Sequence, residues 1–492
     1  MPFTMHTLEI FIQTSGCVTR NTSRILALTC ICYLGDIVRY GPNRLLINSE
    51  PGLKSIYGHG ANVHKSKGYE QVTQVPNVHA SLCTLDNTRH KMLRRLLNQG
   101  LSDINIRSMD EKMVNVASLF ASALGEKEDR FDASRQHVGD DEWSVAKNMA
   151  HWCDFFTFDV MSELVFGRSY NLLGDSENHY IVDGVLGQMQ RFGFLLQFPL
   201  VEKLKLNRLL YPGAKQKAMR FNAKSRQIME ERKARGGGAN ENDVFSHLLA
   251  AKDTETGQGL SIQQLWVESN LLIIAGSDTS STAMAALFFY LSRNPTAYSR
   301  VAKEIRTVFT SPSDVCQGPK LSSCSYLRAC IQEAIRLSPA VSGAMWREVL
   351  AGGITIPEHN LQIPAGSEVG TGIWSLNHSE KYYPEPLAFR PERWISEEAA
   401  GGAEEVASAK AAFASFSVGP RNCVGKGLAM TEIMLGMAAV LVRFDFRRAE
   451  TRLGDIGEEE KGALKGHFKT FWAFTSMKDG PYIQFRPVRS VV

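Results

Sequence analysis

The chain has 492 residues, 44% of them hydrophobic, with 55 Lys and Arg against 51 Asp and Glu and a net charge of +4. Such a length carries a large core, in one large domain or several average ones, and the small charge excess argues for no nucleic-acid partner. Nine cysteines with no Cys-x-x-Cys pair argue against a disulfide framework and a zinc ribbon, and for reduced thiols facing the cytosol.

No run of eighteen apolar residues occurs. Residues 25–34 are too short to span a bilayer and lack a signal-peptide cleavage pattern. They read as core or as non-native sequence, and residues 1–34 as an atypical segment. Regular patterning begins at Gly35. Residues 36–40 read as a strand, 41–43 as a turn and 44–47 as its partner. Ser49 or Glu50 caps a short helix, with Pro51 in its first turn and Gly58 past its end. Residues 60–86 are polar and read as a long loop. Residues 87–97 form an amphipathic helix, with His90 and Arg94 four apart on one face.

Residues 143–170 read as a helix with Trp152, Phe155 and Phe156 in the core. Residues 188–212 are rich in Phe, Leu and Pro. Residues 231–243, with Gly236-Gly237-Gly238, read as a flexible linker. Ser261 and Gln264 suit a capping box. The helix they open can run to Arg293, roughly 45–50 Å at 1.5 Å per residue. Its middle, Ala275-Gly276-Ser277-Asp278-Thr279, breaks the helical pattern. The Thr279 hydroxyl can take the Ala275 carbonyl and widen the helix locally; the alternative is small residues for close packing. Residues 326–337 form another helix, ended by Ser338-Pro339, on which Glu333 and Arg336 can pair. Residues 340–347 leave it towards a strand. Residues 354–357 and 361–366 read as a hairpin, 396–410 as a surface insertion, and 468–474 with 482–485 as a last hairpin.

The most informative stretch is residues 416–425, Phe-Ser-Val-Gly-Pro-Arg-Asn-Cys-Val-Gly. Gly419 and Gly425 allow positive φ and close backbone approach. Pro420 removes one competing amide. The remaining amides and the start of the next helix can hold Cys423 as an anion. Such a sulfur is a nucleophile or a metal ligand; for a lone cysteine, a buried structural role is the alternative. Phe416 would cover the sulfur side of a planar ligand, and Arg421 would meet its negative edge.

Taken whole, the spacing Phe-x-x-Gly-x-Arg-x-Cys-x-Gly resembles the haem-binding signature of the cytochrome P450 family. Ala275–Thr279 looks like that family's oxygen-activation motif, and Glu333 with Arg336 like its Glu-x-x-Arg, for which Arg393 is the expected partner. His90 and Arg94 resemble its third helix, although tryptophan is common where His90 stands. Arg347 matches an arginine that contacts a haem propionate. The resemblance runs from Gly35 over nearly the whole chain. It implies a mainly α fold with small β-sheets and a long central helix over a cysteine-ligated haem, in one haem domain over residues 35–492.

It implies haem b (iron protoporphyrin IX) with Cys423 as axial ligand. His90, Arg94, Arg347 and Arg421 would neutralise the propionates, Phe416, Gly419 and Gly425 would shape the cradle, and Asp278 and Thr279 would relay protons. The expected reaction inserts one oxygen atom from O2 into a small lipophilic substrate. Electrons are expected from NADPH through a separate flavoprotein reductase; Lys91, Arg94, Arg95, Arg421 and Lys426 could form a basic face for it, the alternative being charges that only solvate the surface or bind propionates. Residues 36–42, 377–391 and the cysteine loop most resemble fungal members that tailor secondary metabolites, which suggests a polyketide, terpenoid or alkaloid. The family resemblance places the protein at the cytosolic face of the endoplasmic reticulum membrane, in contact with the membrane surface, although no anchor is legible. The competing readings are a haem-thiolate isomerase or dehydratase that does not use O2, and an inactive truncated member acting as a helical binding module.

Overall fold

The computed structural model describes residues 35–71, 74–132, 142–198, 213–234, 242–458 and 464–488. Residues 1–34 lie outside them, as do the end of the Phe-rich stretch and the triple glycine. In chain order the elements used below are β1 (Ile37–Gly41), β2 (Arg44–Ile47), α1 (Glu50–Tyr57), β3 (Val63–Lys65), α2 (Asn87–Gly100), α3 (Asp110–Leu124), β4 (Lys147–Asn148) and α4 (Met149–Phe166). Then come α5 (Tyr180–Gln197), α6 (Ala214–Ala234), α7 (Ile262–Arg293), α8 (Ser325–Leu337), β5 (Arg347–Val349), β6 (Ile354–Ile356), β7 (Leu361–Ile363) and β8 (Glu368–Gly370). The chain closes with α9 (Gly402–Ala412), α10 (Lys426–Arg443), β9 (Phe444–Arg448), β10 (Thr470–Phe471), β11 (Met477–Lys478) and β12 (Tyr482–Pro487).

Helix α7 is the axis of the molecule. Its second half, Ala283–Leu291, is apolar and buried on every side, so it must be wrapped. Helices α4 and α10 cover it with Phe156, Met161, Ile433 and Met437, all in the same buried cluster. Among the described residues α7 is the one helix long and apolar enough to cross a membrane, but most of it is buried inside the fold. At its start the Ser261 hydroxyl accepts from the Gln264 amide. The Gln264 side chain does not reciprocate; it donates to the His79 carbonyl and to Glu268. Half of the capping box forms, and the other half ties α7 to the loop before α2.

The expected local widening of α7 is not observed: residues 262–293 are α-helical throughout. Gly276 serves packing instead, because the Met161 thioether occupies the space its Cβ would take. The Thr279 hydroxyl does take the Ala275 carbonyl, at 2.6 Å, without opening the ladder.

A second, smaller core lies under a five-stranded sheet of order β1-β2-β8-β5-β3. Ser49 caps α1 through the Gly52 amide, and Gly58 closes the helix. Strands β6 and β7 pair as expected. Four expectations are corrected. The loop at 60–86 contains β3, which pairs with β5. The helix at 143–170 starts only at Met149, because residues 147–148 pair with β12. The insertion at 396–410 is largely α9, with Ala409 and Ala412 buried. The last strand does not pair with residues 468–474: β10 pairs with β11, while β12 joins β4 and β9.

Glu333 on α8 organises the side of the core that carries the cysteine loop. Its carboxylate accepts from Arg336 at 2.7 and 2.9 Å, from Arg393 at 3.0 Å, from the Trp394 indole at 2.9 Å and from the Arg390 amide at 3.1 Å. All three charged side chains are fully buried. Burial pushes the Glu333 carboxyl up, but Arg336 and Arg393 overcome it and hold it below its usual range. Arg336 also donates to the Asn377 and Pro386 carbonyls, and Arg393 to that of Pro384. Replacing Glu333 by Ala leaves two buried guanidinium groups without their anion. A loss of about 3–5 kcal/mol is expected, read as a large fall in melting temperature or in the yield of folded protein. Glu333→Ala melting within a degree or so of wild type would contradict it.

Candidate active site

The loop between α9 and α10 turns sharply. Ser417 and Gly419 have φ of +56° and +72°. At Gly419 a side chain is impossible, since its Cβ would fall 2.0 Å from the Tyr57 carbonyl oxygen at the end of α1. Gly425 differs from expectation: its φ is −89° and it caps α10. Its missing Cβ would stand 4.0 Å from the Cys423 sulfur, so the glycine leaves that flank of the sulfur open. The Cys423 amide donates to the Phe416 carbonyl at 2.9 Å. Phe416 is half-buried, with Lys426 Nζ 5.5 Å from its ring centroid.

Cys423 has solvent-accessible surface, yet enough protein surrounds it that burial raises its thiol pKa. The amides of Gly425 and Lys426 and the charges of Arg94 and Lys426 act in the opposite sense. A sulfur both accessible and enclosed faces an internal gap. Helix α7 has a matching feature. Residues 272–274 and 280–291 are buried, whereas Ala275 is exposed and Gly276 and Thr279 are half-buried. A bare patch in the middle of a core helix marks the wall of a cavity.

Two arginines stitch the cysteine loop to α2 in opposite directions. Arg94 on α2 donates to the Asn422 carbonyl and side-chain oxygen at 2.5 and 2.7 Å. Arg421 donates back to the Thr84 and Leu85 carbonyls and to Asn87 Oδ1 at 2.8–3.1 Å. Arg347 on β5 lies over the Tyr57 ring and donates to the Met345 and Trp346 carbonyls. His90 is buried among Arg421, Lys65, Arg94 and Arg347. Burial first, then those four charges, lower its pKa to about 3. Without an anion beside it, His90 favours its neutral form.

Asp278 and Thr279 are neighbours with different surroundings. Asp278 is buried and accepts from Thr475 in the loop between β10 and β11. Burial raises its pKa to about 6, against the pull of Lys478. Lys478 donates to Asp154 Oδ1 at 2.9 Å and to Ser281 Oγ at 3.0 Å. The Asp278 carboxyl therefore belongs to a buried network of α4, α7 and the β10–β11 hairpin. Reading the motif did not find Asp154, Thr475 or Lys478, and nothing local in the sequence marks them. Residues 341–345 are half-buried, as pocket lining requires, but Trp346 is buried and donates to Gln197 at the end of α5. The basic face is also reduced: Lys91 and Arg95 pair with Glu255, Arg95 also with Asp253, and Arg421 turns inward.

The family model described as Cytochrome P450 matches residues 38–467. The chain belongs to the cytochrome P450 family. This P450 is 54% identical to the cytochrome P450 monooxygenase apf7 of Gibberella fujikuroi, over 92% of the chain and 86% of that protein. It is 40% identical to a cytochrome P450 monooxygenase of Gibberella zeae over 90% and 99%, and 37% identical to atnE of Emericella nidulans, of the same description, over 93% and 86%. It is an oxygen-incorporating oxidoreductase of a haem-containing family.

One acid of this P450 stands apart from the motifs. Glu432, nine residues after Cys423 on α10, is buried with no cation acting on it, and its Oε1 has no hydrogen-bond partner. Burial raises its pKa to about 8, opposed only by the Ser280 hydroxyl of α7. A lone acid in the apolar run of 428–441 was its one sequence signal. The folded state keeps a proton that the unfolded chain releases near pH 4.5, so stability falls as pH rises from about 5 to about 8. Glu432→Gln removes that dependence. Its melting temperature should gain on wild type across this range, and a constant difference would contradict the buried neutral acid.

Proposed function

We propose that this monooxygenase would hold haem b between the cysteine loop and the bare patch of α7, with the Cys423 thiolate as its protein ligand. The observation that carries this reading is a sulfur that is accessible, enclosed and flanked by inward-pointing amides. A thiol in that place is poorly ionised by itself, and a bound metal cation reverses the balance. Phe416, Gly419 and Gly425 shape the cradle. Arg94, Arg347 and Arg421 supply positive charge for the propionates, and neutral His90 can donate a hydrogen bond there.

When bound, haem supplies oxygen activation and transfer of one oxygen atom to substrate. The chain's own residues position, shield and deliver protons. Thr279 holds a proton on Oγ1, directed at the Ala275 carbonyl beside the cavity. Asp278, with a pKa of about 6 and contact with Lys478's network, is a proton store one residue away. The substrate is a lipophilic intermediate of fungal secondary metabolism, a polyketide, terpenoid or alkaloid; the fungal monooxygenases among the relatives and the half-buried residues 341–345 support this class. Electrons come from NADPH through a separate flavoprotein reductase, at the cytosolic face of the endoplasmic reticulum membrane.

In Cys423→Ala the reduced, CO-bound spectrum should lose its thiolate-type red-shifted band; a retained band would remove Cys423 as ligand. Thr279→Ala should release several-fold more peroxide per NADPH consumed, and unchanged coupling would take Thr279 out of proton delivery. The substrate class is tested by incubation with reductase, NADPH and candidate polyketides, terpenoids and alkaloids. Products heavier by one oxygen atom are expected from one of these groups and from no simple fatty acid.

A further inference from the structure

Strand β3 brings to the site a charge that no motif announces. In the antiparallel register of β3 and β5, Lys65 stands directly opposite Arg347. Like charges in that position repel, and both side chains are buried. Arg421 adds a third positive charge that acts on Lys65. Among the described residues none of the three forms an ion pair. Arg347 and Arg421 are committed to carbonyls and to Asn87. Lys65 Nζ lies 4.1 Å from the centroid of the Tyr69 ring. The Tyr69 hydroxyl is itself buried beside the Arg347 guanidinium, without a well-aligned hydrogen bond. The one carboxylate acting on Arg421 is Asp86, which is exposed and caps α2 through the Thr88 and Arg89 amides.

Two buried cations and a half-buried third without an anion are costly. The arrangement makes sense only with a dianion beside it, and an apolar substrate would not compensate it. We propose that Lys65, together with the Tyr69 hydroxyl, anchors the carboxylates of haem beyond the residues named above, an inference that rests on the haem-thiolate reading. Burial and its cationic neighbours push the lone ammonium group's pKa well down; a carboxylate beside it restores the charge.

The test uses purified holoprotein. A charge-assisted hydrogen bond is worth about 1.5–3 kcal/mol. Lys65→Met should therefore release haem to excess apomyoglobin roughly ten- to a hundredfold faster than wild type. Its haem midpoint potential should move negative, since a cation favouring the electron-rich state is gone. Lys65→Arg should stay close to wild type in both. Release and potential unchanged in Lys65→Met would overturn the proposal. So would Lys65→Arg releasing haem as fast as Lys65→Met, because packing and not charge would then be at work. Should Lys65→Met yield no holoprotein, Lys65→Gln carries the same expectation and the same refutation. Tyr69→Phe should speed release by a smaller factor, and no change would remove the hydroxyl. The CO-bound spectrum of wild type separates the two levels: without a thiolate-type band the haem-thiolate reading fails, while a normal band with unaltered Lys65 variants sinks only this anchor.

Discussion

Five donors converge on the Glu333 carboxylate, and the placement of the cysteine loop depends on them. Arg336, Arg393, the Trp394 indole and the Arg390 amide come from two segments that have no other strong reason to meet. A buried carboxylate is tolerable only when its lone pairs are all met, so the cluster has one workable geometry. Arg336 extends it to the Asn377 and Pro386 carbonyls, and Asn377 in turn donates to Ser415 just before Phe416. Position passes from α8 to the loop through fixed polar contacts, whereas greasy packing would allow it to slide.

A second constraint is electrostatic. The α2 side of the loop and the β3–β5 pair gather Lys65, Arg94, Arg347 and Arg421 around His90. Burial first, and then these charges, lower the His90 pKa to about 3. A fold that tolerates such a concentration is shaped for a negatively charged partner and is less stable without it. On the far side the balance is opposite in design. Asp154, Asp278 and Lys478 are buried together with Ser281 and Thr475, two carboxyls sharing one ammonium group. One network has excess positive charge; the other can store a proton because its second carboxyl lacks a cation of its own.

Residues that act through the backbone were legible. Gly419, Cys423, the Ser261 cap and the hairpin of β6 and β7 follow from local conformational limits, which a short window contains. At Gly276 the sequence leaves local widening and close packing both open, and Met161 packs there. Helix packing and ligand access ask for the same small side chain. Lys65, Glu432 and Lys478 were not legible as site residues. A lysine in a short polar strand, an acid in an apolar helix and a lysine in a two-residue strand near the chain end carry no sign of what lies across from them.

The sequence alone determined the chemistry on offer: a cysteine in a turn too tight for side chains at Gly419, a long core helix with a small-residue gap, and acids and arginines at helical spacing. These follow from local sterics and periodicity, and each needs only neighbouring residues. Tertiary structure decided protonation and charge. Whether His90 is neutral, Glu432 holds its proton or Lys65 needs an anion depends on burial and on groups far away in the chain. Desolvation and Coulomb energy are set by distance in space, and separation along the sequence does not contain it.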